Sequence, residues 1–150
     1  MAGCRMVGVV GATAKVETAR LFGADEVIDK SREDLWGRAR QCAPQGYDVV
    51  LDANGVSTLR QSYAHLRATG KLVVYGFASM LPRGGRRLNH LKLAWDYLRS
   101  PRFNPIHMTT ENKSVLAFNL SFLFDRADIL AEGSGALLRW VEEGAIRARR

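Results

Sequence analysis

The sequence predicts an α/β fold built on a parallel sheet, and three observations lead there. Short continuous apolar runs recur at residues 5–10 (RMVGVV), 48–53 (DVVLDA), 71–75 (KLVVY) and 115–120 (VLAFNL). Segments with apolar residues at helical spacing separate most of them. Strands that are apolar along their whole length and alternate with helices belong to parallel sheets covered on both faces. The chain also has 150 residues, 47% hydrophobic and 25% charged. That is ordinary globular composition, with length enough for one core.

The elements follow in order. Residues 5–10 form a strand that Gly11 ends. Residues 14–22 then place Val16, Ala19, Leu21 and Phe22 on one helical face, and Gly23 follows as a residue able to take the left-handed cap. Residues 26–28 are a brief strand. Ser31 to Asp34 resembles a capping box opening a helix through Trp36, Ala39 and Cys42. Ala43-Pro44-Gln45-Gly46 stops that helix. Residues 48–53 are a buried strand, 57–66 a helix, and Thr69-Gly70 a turn into the strand 71–75. Residues 79–113 break the rhythm. They hold RGGRR, an amphipathic helix at 90–98 and two prolines, and an insertion of that length is usually functional. Strand character resumes at 115–120. Residues 125–142 form a last helix, weakened by Gly133 and Gly135 and stopped at Gly144.

Composition narrows the function. No apolar run reaches the roughly 18 residues of a membrane-spanning helix, and the start lacks a signal peptide's charged and apolar regions. A cytoplasmic setting is expected. The two cysteines, Cys4 and Cys42, form no CxxC pair, and the three histidines have no metal-ligand spacing. No metal site is expected. The net charge of +7 raises nucleic acid as a partner. The basic residues concentrate in Arg83 to Arg87 and Arg147 to Arg150, outside any recognisable nucleic-acid motif, so no nucleic acid is expected.

Four stretches together resemble the cofactor-binding region of the medium-chain dehydrogenase/reductase superfamily. They are VVGATAK (9–15) with ARLFGADEVID (19–29), YDVVLDANG (47–55), GKLVVYG (70–76) and VLAFNL (115–120). The quinone oxidoreductase branch, and within it proteins similar to the vesicle amine transport protein homologues, matches best. SPRFNPIH (100–107) followed by ENK (111–113) carries that finer likeness.

The resemblance implies an incomplete Rossmann-like, doubly wound parallel sheet lacking its first βα unit. In this family GADEVID follows the second strand and second helix, so residues 5–10 correspond to the second strand. The dinucleotide fingerprint needs G-x-G-x-x-G after a first strand. Gly3, Gly8 and Gly11 do not supply it, and Gly8 lies within a strand. Residues 1–150 therefore read as a partial nicotinamide-dinucleotide-binding domain. It comprises βα units over 1–78, an insertion over 79–113, and a last strand and helix over 114–150, without the family's N-terminal catalytic domain. The missing first strand is central in the sheet order 3-2-1-4-5-6. Its loss is expected to separate the first two strands from the others, exposing two inner edges.

The resemblance also implies site residues. The turn after the second strand selects the cofactor: an acid there favours NAD, whereas a cation accommodates the 2′-phosphate. Gly11, Thr13 and Lys15 occupy it, with no acid before Glu17, and Lys15 corresponds to the family's 2′-phosphate lysine, implying NADPH. Lys15 can also be a solvated first-turn residue. A cation opposes the helix dipole there, which a phosphate would offset. Asn54 and Gly55 end one strand and Gly76 and Phe77 the next, on the side where open α/β sheets bind ligands; Asn54 and Gly55 are equally suited to a plain turn. The implied activity is zinc-independent reduction of a quinone or enone by NADPH in a homo-oligomeric parent, with no catalytic residue assigned and the chain alone inactive. The alternative is a non-catalytic member acting in protein interaction or peripheral membrane contact.

Overall fold

The computed structural model describes residues 3–78 and 90–146. The basic run 83–87, the first part of the 79–113 segment and residues 147–150 lie outside them. The chain divides into two units, Met1–Leu116 and Ala117–Arg150.

In the first unit, β1 (Val7–Val10) pairs in parallel with β2 (Glu26–Asp29), Val7 opposite Glu26 and Val10 opposite Asp29. A 3-10 turn (Thr13–Lys15) and α1 (Val16–Leu21) connect them. Gly23 takes φ +92° after the helix, as its position past the last helical turn requires. Two residues of the expected apolar face of α1, Leu21 and Phe22, are exposed. A six-residue helix offers less than two full turns, so one face half-buries Val16 and Ala19 and leaves the residues at its end uncovered.

The helix α2 (Leu35–Cys42) starts differently from the expected capping box. Asp34 is the N-cap and accepts from the Trp36 and Gly37 amides, while Ser31 turns back to the carboxylate of Asp29. An acidic N-cap satisfies amides that helix geometry leaves open. Next come β3 (Tyr47–Asp52), α3 (Leu59–Ala64) and β4 (Leu66–Val74), with β3 parallel to β4. The helix expected over 57–66 is shorter at both ends, because Thr58 and His65 act as its caps and Leu66 already pairs with Tyr47. The Thr69-Gly70 turn is absorbed within β4 as an irregularity between the pairs Tyr47–Leu66 and Val49–Lys71, with Thr69 at φ 69°. The expected helix of the 79–113 segment is α4 (His90–Arg99), followed by α5 (Pro105–Glu111), capped by Asn104, and β5 (Ser114–Ala117).

Among the described residues the strands form two sheets, β1-β2 and β3-β4-β5, as the absence of a central strand predicts. The helix α2 ties them together. Arg5 Nη1 donates to the carbonyl of Cys42 at 2.7 Å, and Tyr47 Oη donates to that of Ala39 at 2.8 Å. One core cluster joins Ile28, Ala39 and Cys42 to Val7 and Tyr47, the first residues of β1 and β3. The second joins Leu59, Leu66, Leu72 and Val74, with Val50 packed against them. Helices thus lie on both faces, as in a doubly wound sheet, but coverage is incomplete. Val9, Val49 and Leu51 are 50%, 48% and 67% exposed. Residues alternate faces along a strand, and on that side α2 covers Val7, Ile28 and Tyr47. The expectation of a buried run at 48–53 is corrected accordingly.

In the second unit, α6 (Ala127–Glu142) runs unbroken through Gly133 and Gly135, and Gly144 closes it at φ +71°.

Candidate functional site

The sequence-predicted residues fall into two groups, each at the carboxyl end of a strand. The first is the turn after β1, which contains Gly11, Thr13 and Lys15. Because Val10 pairs with Asp29, the residue after each strand also meets its counterpart. The Lys30 amide donates to the Val10 carbonyl at 3.1 Å, and a Cβ built on Gly11 would stand 3.5 Å from Lys30 Cε. Lys30 therefore lies alongside Gly11. Sequence reasoning missed it, although the parallel register, once known, brings it there. Lys15 is exposed and sits at the N-cap of α1.

Thr13 has a more specific task than its place in the turn suggests. Its hydroxyl donates to Asp29 Oδ2 at 2.6 Å, while the Ser31 hydroxyl and amide donate to Oδ1 at 2.5 and 3.0 Å. Asp29 is buried. The Ser31 and Thr13 hydroxyls hold its carboxyl below the ordinary 3.8. The Thr13 donor is thus committed to shaping the turn, and only its acceptor capacity remains for a ligand.

The second group is brought into contact. Asp52, at the end of β3, is 3% exposed. Its Oδ1 accepts from the amides of Asn54 and Gly55, at 2.9 and 3.0 Å, and from Thr58 Oγ1 at 2.9 Å. Its Oδ2 accepts from Ser62 Oγ at 2.7 Å. One carboxylate thereby fixes the turn holding Asn54 and Gly55 and anchors the start of α3. The next strand's end is clipped to the same turn: the Tyr75 amide donates to the Asp52 carbonyl at 3.1 Å and the Ala78 amide to the Ala53 carbonyl at 3.0 Å.

The approach is too close for side chains. A Cβ on Gly55, whose φ is +83°, would lie 2.5 Å from Phe77 Cδ1, and one on Gly76 would lie 2.9 Å from the Ala53 carbonyl oxygen. Gly55 is buried, Asn54 and Gly76 are half-buried, and Phe77 is 46% exposed. The group therefore presents a backbone shelf with one accessible aromatic ring. Asp52 was overlooked as its organiser; the signal was an aspartate two and three residues before Asn-Gly at a strand end, a turn-forming pattern.

Among the described residues, no three His, Cys, Asp or Glu side chains come together to hold a metal ion, and no helix is long and apolar enough to cross a membrane.

Comparison with known proteins agrees with this geometry. The chain is 27% identical over 136 residues to the synaptic vesicle membrane protein VAT-1 homolog of Danio rerio, covering 91% of the chain and 28% of that protein. It superimposes on Escherichia coli quinone oxidoreductase complexed with NADPH with a TM-score of 0.71, at 23% identity, over 99% of the chain and 40% of the enzyme. A mycobacterial protein solved with NADPH gives a TM-score of 0.70 at 25% identity, over 98% of the chain and 40% of that protein. The chain spans about a third of the length of the curated relatives it matches. Residues 1–114 match the model of the zinc-binding dehydrogenase family, and with the parallel βα units and paired strand-end turns already described, the chain belongs to that family, within the medium-chain dehydrogenase/reductase superfamily.

Proposed function

We propose that the chain forms part of the NADPH site of an oxidoreductase that reduces a quinone or enone without zinc. The observation that carries the cofactor reading is the pair of lysines at the turn after β1. Lys30 lies alongside Gly11 and Lys15 follows two residues after Thr13. Asp29, at the end of β2, is occupied by hydroxyl and amide donors within its own loop. Two ammonium groups suit a 2′-phosphate dianion, where an acidic side chain would instead bind ribose hydroxyls.

Asn54, Gly55, Gly76 and Phe77 would receive the nicotinamide half. The bare backbone at Gly55 and Gly76 allows close approach, and the Phe77 ring offers a face for packing. When bound, the dinucleotide supplies a hydride, and the protein's contribution is binding and orientation. The substrate reading rests on the quinone oxidoreductases among the structural relatives.

Titration of the full-length parent with NADPH and NADH, followed by nicotinamide fluorescence, tests the proposal. NADPH is expected to bind at least ~10-fold tighter, about 1.4 kcal/mol, and the preference should shrink with added salt. Equal affinities, or binding of neither, would overturn it.

One observation favours a second reading, membrane contact. On α4, Leu91, Trp95 and Leu98 are 85%, 59% and 70% exposed at helical spacing. Co-sedimentation with anionic vesicles, lost in Trp95→Glu, is the expected signature; equal sedimentation of the variant would refute it.

A further inference from the structure

A cavity of about 270 Å³ opens between α3, the segment 101–104 and α5, and it shares no lining residue with the two dinucleotide turns. Its walls combine two kinds of surface. Tyr63 and Phe103, with ring centroids 5.2 Å apart and planes tilted by 46°, join Pro101 and Met108 as the apolar part. Arg60, Arg102 and His107 supply the polar part.

The charge there is unbalanced. Glu111 is the one carboxylate in the lining, and Lys113 already answers it at 3.6 Å while lying 5.1 Å from the centre of the Tyr63 ring. Among the described residues, neither Arg60 nor Arg102 makes an ion pair. The phenolic oxygen of Tyr63 is buried, and burial together with the neighbouring Glu111 carboxylate pushes its pKa up. Two guanidinium groups lining one concavity without a carboxylate of their own suit an oxyanion, which arginine binds through paired N–H donors. The adjoining rings suit an apolar body. The volume, just below the usual range for drug-sized ligands, limits that body to about one ring.

We propose that this cavity binds a small organic anion, a carboxylate or phosphate group carried on a ring-sized apolar body. Arg60 and Arg102 hold the oxyanion, and Tyr63 and Phe103 flank the ring.

The test uses the full chain with 4-fluorobenzoate as probe, observed by fluorine NMR. Phenyl phosphate serves as the competing oxyanion and 4-fluorobenzamide as the neutral control. Saturable binding of 4-fluorobenzoate or phenyl phosphate is expected, with Kd on the order of 0.1–1 mM for ligands of this size. Which of the two binds tighter identifies the oxyanion. The benzamide and the double variant Arg60→Gln, Arg102→Gln should each bind at least ~10-fold more weakly, a loss of about one charge-assisted pairing. Both arginines are exposed, so folding should persist; His107→Leu, also at an exposed position, is a second variant with an expected loss of about 3-fold. Amide shifts should map to Phe103 and His107, and saturating NADPH should leave the probe bound. Binding of neither anion, equal binding of the benzamide, full affinity in both variants, or displacement by NADPH would each overturn the proposal.

Discussion

Asp52→Ala should cost the chain about 3–6 kcal/mol of stability. The estimate follows from what each of its four partners does once the carboxylate is gone. The Thr58 hydroxyl already has a second acceptor, the Gly55 carbonyl at 3.2 Å, and can turn to it. The Asn54 amide is only part-buried and can recruit water. The Gly55 amide and the Ser62 hydroxyl lie in buried hydrogen bonds and have no such escape. Each buried donor left unsatisfied, or hydrogen bond to a charged group lost, costs about 1.5–3 kcal/mol, and two of them give the stated range. Domains of this size hold about 5–15 kcal/mol in all, so the loss is a large fraction. With a urea dependence of about 2 kcal/mol per M, the midpoint should fall by about 2 M.

Asp52→Asn separates geometry from charge. Its amide oxygen can still accept from the Gly55 and Asn54 amides, and its NH₂ group can donate to a reoriented Ser62 hydroxyl. Its cost should be about 1–2 kcal/mol. Urea unfolding of both variants, followed by circular dichroism, makes the comparison. If the asparagine variant is as unstable as the alanine variant, or the alanine variant loses under about 1 kcal/mol, the account of Asp52 as the turn's hydrogen-bond hub is wrong.

Further predictions follow from the same turns. Gly55→Val, at φ +83° and with Phe77 Cδ1 2.5 Å from the added Cβ, should cost about 2–4 kcal/mol through combined strain and overlap and abolish dinucleotide binding; a variant that melts like the parent chain would contradict it. Lys15→Glu with Lys30→Glu should reverse the expected NADPH preference while changing stability by under about 0.5 kcal/mol, since both are exposed surface positions; retained preference in fluorescence titrations would count against the pair. Asp29 has a folded-state pKa below 3.8, so the unfolded chain binds its proton more readily. The stabilisation it provides is fully present above about pH 4 and is lost as pH falls through the folded-state value. The stability gap between the parent chain and Asp29→Asn should therefore stay constant from pH 7 to 5 and close below 4. A gap that widens in acid would reverse the sign. Finally, with two separate small clusters and unpaired inner edges on β1 and β3 among the described residues, the 150-residue chain by itself should melt at low temperature and bind a hydrophobic dye; a cooperative, high-temperature melt of a monomer would refute this.

Much of this architecture was legible from the residues alone. Continuous apolar runs at 5–10, 48–53 and 71–75, with Gly23 and Gly144 placed as helix stops, depend on local spacing and backbone freedom, which a single chain segment carries within itself. The absence of G-x-G-x-x-G likewise foretold a sheet in two parts, because strand order follows from which βα units are present. Three decisions needed the tertiary structure. Lys30 lies 19 residues from Gly11 and becomes its neighbour only through the parallel register that pairs Val10 with Asp29. Thr13 is a turn residue whose hydroxyl finds Asp29 only once both strands are laid side by side. Val49 and Leu51 read as core, yet their exposure depends on how far α2 extends over the strands. In each case the deciding quantity is a distance between residues remote in sequence, set by packing that no local pattern encodes.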